Sequence, residues 1–228
     1  KVSSEKSRFA MPETAIGFFP DVGATHFLSR LDDVGVYMAL TGEQISSSDA
    51  LYLDLVDYHV PSEHFAELEA ALIAAPVLNQ IEIQKIISAY ITHPVESELQ
   101  KRANLISQHF GHSNLDEIEQ SLTYASSATD QDWADKMLAI LQQRPVMAKQ
   151  TSLKLQQAGQ DLSLEKCMQL ERDLQDIWLE QGDFIEGVRA LIIDKDKNPQ
   201  WQTDNSKFEK VLEKLGLAWN KQPIENIY

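Results

Sequence analysis

The chain has 228 residues, of which 43% are hydrophobic and 24% charged, a balance typical of a globular rather than a disordered protein. Its 35 acidic and 20 basic residues give a net charge of -15, which argues against general nucleic-acid binding because that needs a positive surface. No apolar run reaches membrane-spanning length, and residues 1–5 carry no hydrophobic signal region. We therefore expect neither nucleic acid nor a membrane as a partner. Because the chain does not begin with Met, we also expect it to start inside a longer protein.

Two short strands are predicted. Residues 8–11 alternate in polarity, and residues 55–60 form a second candidate before Pro61. Two short strands cannot make an independently stable sheet. The sequence therefore predicts sheet partners outside this chain, in the upstream half of the same protein or in a companion chain.

Most of the chain has the periodicity of helices. Apolar residues recur at helical spacing over residues 65–75, up to Pro76, and again over residues 78–90. Polar caps and prolines mark the starts of further helices. The predicted starts are Asn114, Thr129, Pro145 and Ser163. The last of these opens the strongest periodic stretch.

The segment of residues 9–23 combines two carboxylates, Glu13 and Asp21, with two prolines and two glycines. Its other residues are apolar or uncharged, and such neighbours make an ionised carboxylate costly unless it is paired, hydrogen-bonded or used in chemistry. Proline fixes φ and glycine permits close backbone approach, so both acids are expected to be held in place. The residues alone leave two interpretations open: a catalytic pair, or two acids near turns.

Other chemical groups give weaker indications. The histidine pairs His59/His64 and His109/His112 lack a neighbouring carboxylate cluster, so we expect no metal site there. The single Cys167 lies in a helical pattern and is predicted to be core.

A run of acids near the end of the chain raises the question of calcium. The acids are Asp183, Glu186, Asp194 and Asp196. They lack EF-hand spacing and are interleaved with Arg189 and two lysines, which favours a structural salt-bridged face.

Two motifs resemble the 3-hydroxyisobutyryl-CoA hydrolase branch of the enoyl-CoA hydratase/isomerase (crotonase) superfamily. Residues 11–23 contain Met-Pro-Glu-Thr-Ala-Ile-Gly followed by Phe-Pro-Asp-Val-Gly. Residues 182–201 contain Gly-Asp-Phe-Ile-Glu-Gly and then Asp-Lys-Asp-Lys. The Pro-Asp-Val-Gly element and the Asp-Lys-Asp-Lys run are together the more specific signals. The resemblance runs in order over residues 1–201, and residues 202–228 are similar to the family's variable tail.

The resemblance implies an α/β fold rich in helix, the crotonase-like spiral of ββα units, of which this chain is expected to be the C-terminal part. Residues 1–62 would be the end of the spiral core that carries the active-site carboxylates. Residues 63–228 would form a helical C-terminal region.

The resemblance further implies hydrolysis of 3-hydroxyisobutyryl-CoA to 3-hydroxyisobutyrate and CoA in valine catabolism. Glu13 and Asp21 would be both the catalytic and the substrate-binding residues. Glu13 would act as nucleophile or as base, and Asp21 would bind the 3-hydroxyl group, orient water or manage the proton. No metal and no cofactor are expected, since CoA is part of the substrate. The location would be the mitochondrial matrix in a eukaryote and the cytoplasm in a bacterium, and a homo-oligomer is compatible with the resemblance.

Two alternatives remain open. An enoyl-CoA hydratase uses two glutamates, one at the position of Glu13 and one upstream, and is usually not acidic at the position of Asp21. The second alternative is a non-catalytic assembly domain. It stays open because no Gly-rich oxyanion-hole segment precedes Phe9 in this chain.

Overall fold

A computed structural model describes residues 1–125, 128–203, 206, 209, 212 and 213. The chain divides into two compact units, one formed by residues 1–10 and 44–103, the other by residues 11–43 and those from 104 onward. The predicted division between residues 62 and 63 separates a spiral core from a helical region and stays a prediction. The predicted variable tail lies for the most part outside the described residues.

Helices dominate the described part of the chain, as the sequence predicts. Its α-helices, in chain order, are α1 Ala24–Leu28, α2 Asp32–Thr41, α3 Ser47–Tyr52, α4 Phe65–Ala74, α5 Gln80–Ser88, α6 Glu98–Phe110, α7 Leu115–Thr123, α8 Ala128–Gln142, α9 Val146–Gly159, α10 Leu164–Gln181 and α11 Phe184–Val188. Two 3-10 turns, Glu13–Ile16 and Ser62–His64, and a π-helix, Arg189–Ile193, complete the helical elements. No helix in the described ranges combines the length and the apolar character needed to cross a membrane.

The strands are shorter than predicted, and each has a partner within the chain. They are β1 Val2–Ser3, β2 Arg8–Phe9, β3 Ile45–Ser46 and β4 Tyr58–His59. β1 pairs with β4 in parallel, and β2 pairs with β3 in antiparallel register. The expectation that the two predicted strands lack partners in this chain is therefore wrong. β1 and β3 escaped prediction because two residues are too few to show alternation.

Three of the four predicted helix starts are confirmed. The Asn114 and Ser163 side chains each accept a hydrogen bond from the backbone N–H three residues later, at 2.9 and 3.3 Å, and Pro145 immediately precedes α9. The prediction that Thr129 caps a helix is wrong, because α8 already begins at Ala128.

In the first unit, the buried carboxylate of Asp49 joins two helix starts. It accepts hydrogen bonds from the backbone N–H and the hydroxyl of Ser46, at 2.9 and 2.7 Å, which completes a capping box for α3. It also accepts from the Ser97 hydroxyl and from the Leu99 N–H, where α6 begins, at 2.8 and 2.9 Å. Burial alone raises the pKa of Asp49, but these hydrogen bonds outweigh it and place that pKa below its ordinary value.

In the second unit, an aromatic cluster fixes the residues between Glu13 and Asp21. The Phe18 and Phe19 rings stack with centroids 4.4 Å apart, and both meet the fully buried Trp178 of α10 edge-on, at 5.9 and 5.1 Å. Cys167, also on α10, is buried, so its assignment to the core is confirmed, and burial raises the pKa of its thiol. The two carboxylates therefore flank an anchored core segment.

Candidate active site

Glu13 is the first residue of a 3-10 turn that the sequence prescribes closely. Pro12 precedes it with φ of -86°, and Gly17 ends the turn in the left-handed region at φ of +70°. The Phe18 N–H donates to the carbonyl oxygen of Glu13 at 3.0 Å. The Thr14 hydroxyl donates to the Leu40 carbonyl on α2 at 3.2 Å. The backbone that carries the Glu13 side chain is therefore tied to α2 and to the aromatic cluster.

Gly17 is required by two contacts as well as by its φ. A Cβ atom at this position would lie 2.8 Å from the carbonyl oxygen of Asp183, closer than side chains approach. The Trp178 indole Nε1–H donates to the Gly17 carbonyl at 2.7 Å. The glycine lets α10 and the chain after it approach the end of the turn that carries Glu13.

The Glu13 carboxylate is half-buried and incompletely satisfied. Its Oε2 atom is buried, and no residue in the described part of the chain donates a hydrogen bond to it. Burial raises the pKa of Glu13 above its ordinary value, against a lowering by its own backbone N–H, and the negative charge of Asp21 raises it further. A buried carboxylate oxygen without a donor destabilises the fold, which makes Glu13 a candidate functional residue.

Asp21 lies eight residues later, at a turn after Pro20, and is also half-buried. The Gln175 side chain of α10 donates from Nε2 to Asp21 Oδ2 at 3.0 Å. The negative charge of Asp21 is the smaller of the two causes that raise the pKa of Glu13, after burial. The structure thus places both predicted site residues within one unit.

Asp183 is a third carboxylate near this turn, and the sequence interpretation assigned it to a salt-bridged face. It is instead buried, with 1% exposure. Its Oδ1 accepts from the Gln202 N–H at 2.8 Å, while Oδ2 is buried without a donor among the described residues. Burial is the main cause that raises the pKa of Asp183. The signal available in the sequence was its place directly after Gly182 in the Gly-Asp-Phe-Ile-Glu-Gly motif.

The other three acids of that run form the predicted salt-bridged face. Arg189 contacts a carboxylate oxygen of Glu186 at 2.8 Å and one each of Asp194 and Asp196 at 2.7 Å. Within the described residues, no group of three or more His, Cys, Asp or Glu side chains is arranged to hold a metal ion. Of the histidines, His59 and His109 each contact a serine hydroxyl through Nδ1, at 2.6 and 2.8 Å.

Comparison with known proteins assigns the chain to a family. A family model described as Enoyl-CoA hydratase/isomerase matches residues 1–214. The chain belongs to the enoyl-CoA hydratase/isomerase family. Its membership confirms the crotonase resemblance and the α/β, helix-rich fold class.

The curated relatives include hydrolases. A mitochondrial 3-hydroxyisobutyryl-CoA hydrolase from Dictyostelium discoideum is 34% identical over 205 residues, covering 88% of this chain and 53% of that protein. The probable 3-hydroxyisobutyryl-CoA hydrolase 2 from Arabidopsis thaliana is 36% identical over 245 residues, covering 99% of this chain and 64% of that protein. The chain therefore spans between about half and two thirds of the length of these relatives.

Solved structures of family members agree with the fold. A crystal structure of an enoyl-CoA hydratase from Rhodobacter sphaeroides has a TM-score of 0.75 and 31% identity, covering 89% of this chain and 56% of that one. A carnitinyl-CoA dehydratase from Mycobacterium thermoresistibile has a TM-score of 0.76 and 28% identity, covering 88% and 56%.

Proposed function

We propose that the protein hydrolyses acyl-CoA thioesters and that 3-hydroxyisobutyryl-CoA is its substrate, with 3-hydroxyisobutyrate and CoA as products in valine catabolism. The observation that carries the proposal is Oε2 of Glu13, a buried carboxylate oxygen without a donor in the described structure. Burial, and to a smaller extent the charge of Asp21, raise the pKa of this carboxyl. The hydrolase names of relatives at 34 and 36% identity support the substrate.

Glu13 is proposed as the nucleophile. Its carboxylate oxygen attacks the thioester carbonyl carbon, the C–S bond breaks, and CoA leaves as a thiolate. A thiol of pKa about 8.5, the value for cysteine, needs little acid assistance to leave. Water then cleaves the resulting mixed anhydride, which releases the acid and regenerates the Glu13 carboxylate. A raised pKa suits this role, because a more basic carboxylate is a better nucleophile and a better general base. Activation of water by Glu13 without an anhydride is the simpler variant of the same chemistry.

Asp21 is proposed to bind the 3-hydroxyl group of the substrate or to orient the attacking water. Its carboxylate accepts hydrogen bonds, which both tasks require. A neutral donor, the Gln175 amide, orients it without cancelling its charge.

An enoyl-CoA hydratase is the second candidate, favoured by the similarity to the hydratase structure from Rhodobacter sphaeroides. In that case water adds across a carbon–carbon double bond and no thiol is released. An acid at position 21 favours the hydrolase, because hydratases of the family are usually not acidic there.

The reaction needs a substrate, a cellular location and oxyanion-hole donors. The acyl-CoA is the substrate and brings CoA with it, so no separate cofactor is invoked. Relatives from Dictyostelium discoideum and Gallus gallus are named mitochondrial, which supports a mitochondrial location if the source is a eukaryote. The oxyanion-hole donors are proposed to come from the upstream half of the protein or a companion chain, and self-assembly is compatible with this arrangement.

The deciding experiment is a comparison of two assays on the full-length protein. Free-thiol release from 3-hydroxyisobutyryl-CoA is measured beside hydration of crotonyl-CoA. We expect efficient thiol release and negligible hydration. Efficient hydration with negligible thiol release would reverse the order of the two enzymes, and inactivity in both assays would favour the assembly-domain interpretation.

A further inference from the structure

Helix α10 contacts the Asp21 segment at two points that the reaction itself does not require. Gln175 donates to Asp21 Oδ2 at 3.0 Å. One turn earlier, the carboxylate of Glu171 accepts the backbone N–H groups of Gly23 and Thr25, at 2.7 and 2.9 Å. Residues four apart lie on the same face of a helix, so both contacts come from one side of α10.

Both carboxylate oxygens of Glu171 take part in this contact. It is 2% exposed, and each of its two oxygens accepts one backbone N–H. Hydrogen bonds to a charged acceptor are stronger than neutral ones, so these two bonds offset part of the cost of burying the carboxylate. The start of α1 is therefore fixed to α10.

The residue between the two contacts has a strained backbone. Val22 has φ of +59° and a side chain that is 79% exposed. A β-branched residue at positive φ is a genuine outlier that persists only where its surroundings impose it. Because the exposed side chain buries little, packing of Val22 does not account for this conformation. The hydrogen bonds to Asp21 before Val22, and to Gly23 and Thr25 after it, hold the chain on both sides and account for the conformation.

We propose that Gln175 and Glu171 are positioning residues, which together hold the strained Val22 segment so that the Asp21 carboxylate has one orientation toward the substrate. This inference rests on the proposed function for its catalytic consequence, although the mechanical part is independent of it. Gln175 orients the carboxylate directly. Glu171 fixes the backbone immediately after it. Neither residue touches the reacting atoms.

A double-mutant cycle tests whether Gln175 acts through Asp21. Gln175→Met keeps the length of the side chain but removes the donor. It should lower kcat/KM for 3-hydroxyisobutyryl-CoA about tenfold, since a small misplacement of a catalytic group commonly costs one to two orders of magnitude. In an Asp21→Ala background the same substitution should change kcat/KM less than about twofold, because the group that it orients is gone. Equal losses in both backgrounds would mean that Gln175 is merely structural.

A matched control exists on α8. The Gln131 side chain makes the same amide-to-carboxylate contact, donating to Asp135 at 2.6 Å within that helix. Gln131→Met should leave kcat/KM unchanged. A loss equal to that of Gln175→Met would overturn the proposal.

Amide hydrogen exchange tests, without reference to activity, whether Glu171 holds the segment around Val22. Glu171→Gln leaves one side-chain oxygen to accept hydrogen bonds where the carboxylate had two. Exchange in a peptide covering residues 20–28 should therefore accelerate about tenfold or more, while α9 exchanges as before. Unchanged exchange in residues 20–28 would overturn the proposal. If the unsubstituted protein releases no thiol, the proposed function fails, and this exchange measurement still decides whether α10 holds the segment.

Discussion

Replacing Glu13 with Gln tests the proposed nucleophile while preserving the shape of the side chain. The substitution removes the negative charge and the nucleophilic oxygen. Loss of a group that acts as base lowers turnover about 10²- to 10⁴-fold, and loss of a nucleophile lowers it at least as much. Because the group acts in the transition state, kcat should fall while the KM for 3-hydroxyisobutyryl-CoA changes little.

The stability of the Glu13→Gln variant follows from two opposing effects. Removing the ionised form relieves the burial of charge that raises the pKa of Glu13. The introduced amide N–H₂ would, however, lack an acceptor if it takes the place of Oε2, and a buried unpaired polar group costs about 1–3 kcal/mol. The two effects oppose each other, so we expect the free energy of unfolding to change by less than about 2 kcal/mol.

The pH dependence of the free energy of unfolding separates the effect of the buried charge from that of the unpaired amide. A carboxyl whose pKa is raised by folding binds its proton more tightly in the native state, so its stabilising contribution is present at low pH and is lost as pH rises through the folded pKa. Both Glu13 and Asp183 contribute in this sense. Glu13→Gln should remove one part of this decline in stability toward neutral pH, and Asp183→Asn the other.

Steady-state kinetics and chemical denaturation of the full-length protein measure both quantities. Glu180→Gln is the matched control, because Glu180 is an exposed glutamate of α10. The reasoning is refuted if Glu13→Gln keeps near-native turnover, or if its lost activity only parallels unfolding.

Three further substitutions probe the packing of the two units, two of them at the candidate site and one in the first unit. Gly17→Ala places a Cβ 2.8 Å from the Asp183 carbonyl oxygen at a φ of +70° and should destabilise by about 2 kcal/mol or more, measured as a lower midpoint of thermal unfolding. Trp178→Phe keeps most of the buried ring but leaves the Gly17 carbonyl without its donor, so urea unfolding should show a loss of about 1–3 kcal/mol. Asp49→Ala should destabilise the first unit by about 2–4 kcal/mol at neutral pH, because buried N–H and O–H donors lose a charged acceptor. Since the pKa of Asp49 is lowered by folding, the part of its contribution that depends on ionisation is lost as pH falls through that pKa, and the difference between the variant and the unsubstituted protein should narrow in acid. A difference that persists unchanged at low pH would contradict the account of Asp49.

Local signals predicted much of the fold. Helix starts such as Asn114 and Ser163 depend on a side chain and a backbone N–H three residues away, so the sequence contains all the information. Thr129 shows why residue type alone does not locate a helix start. Threonine also occurs inside the first turn of a helix, and Thr129 is the second residue of α8. The partners of β2 and β4 were missed since pairing joins residues far apart in sequence, and a ladder of two residues leaves no periodic pattern.

The candidate site was predictable only in part for a similar reason. Glu13 and Asp21 stand out locally as carboxylates in an apolar segment. Glu171 and Gln175 instead look like ordinary polar residues on an amphipathic helix, and their contacts span 146 to 154 positions in sequence. Asp183 was misassigned because burial, which distinguishes it from the acids around Arg189, is a property of tertiary structure.

The ion pairs of Arg189 hold the Asp-Lys-Asp-Lys run against a single side chain. Asp194 and Asp196 both turn onto one guanidinium group, while Lys195 and Lys197 adopt left-handed φ values of +57° and +55° between and after them. Guanidinium chloride supplies a free ion of the same shape that competes for the same carboxylates, whereas urea does not. The chain around residues 194–200 should therefore open in guanidinium at concentrations where urea of equal denaturing strength leaves it closed, so a probe placed in this segment should report different midpoints in the two denaturants.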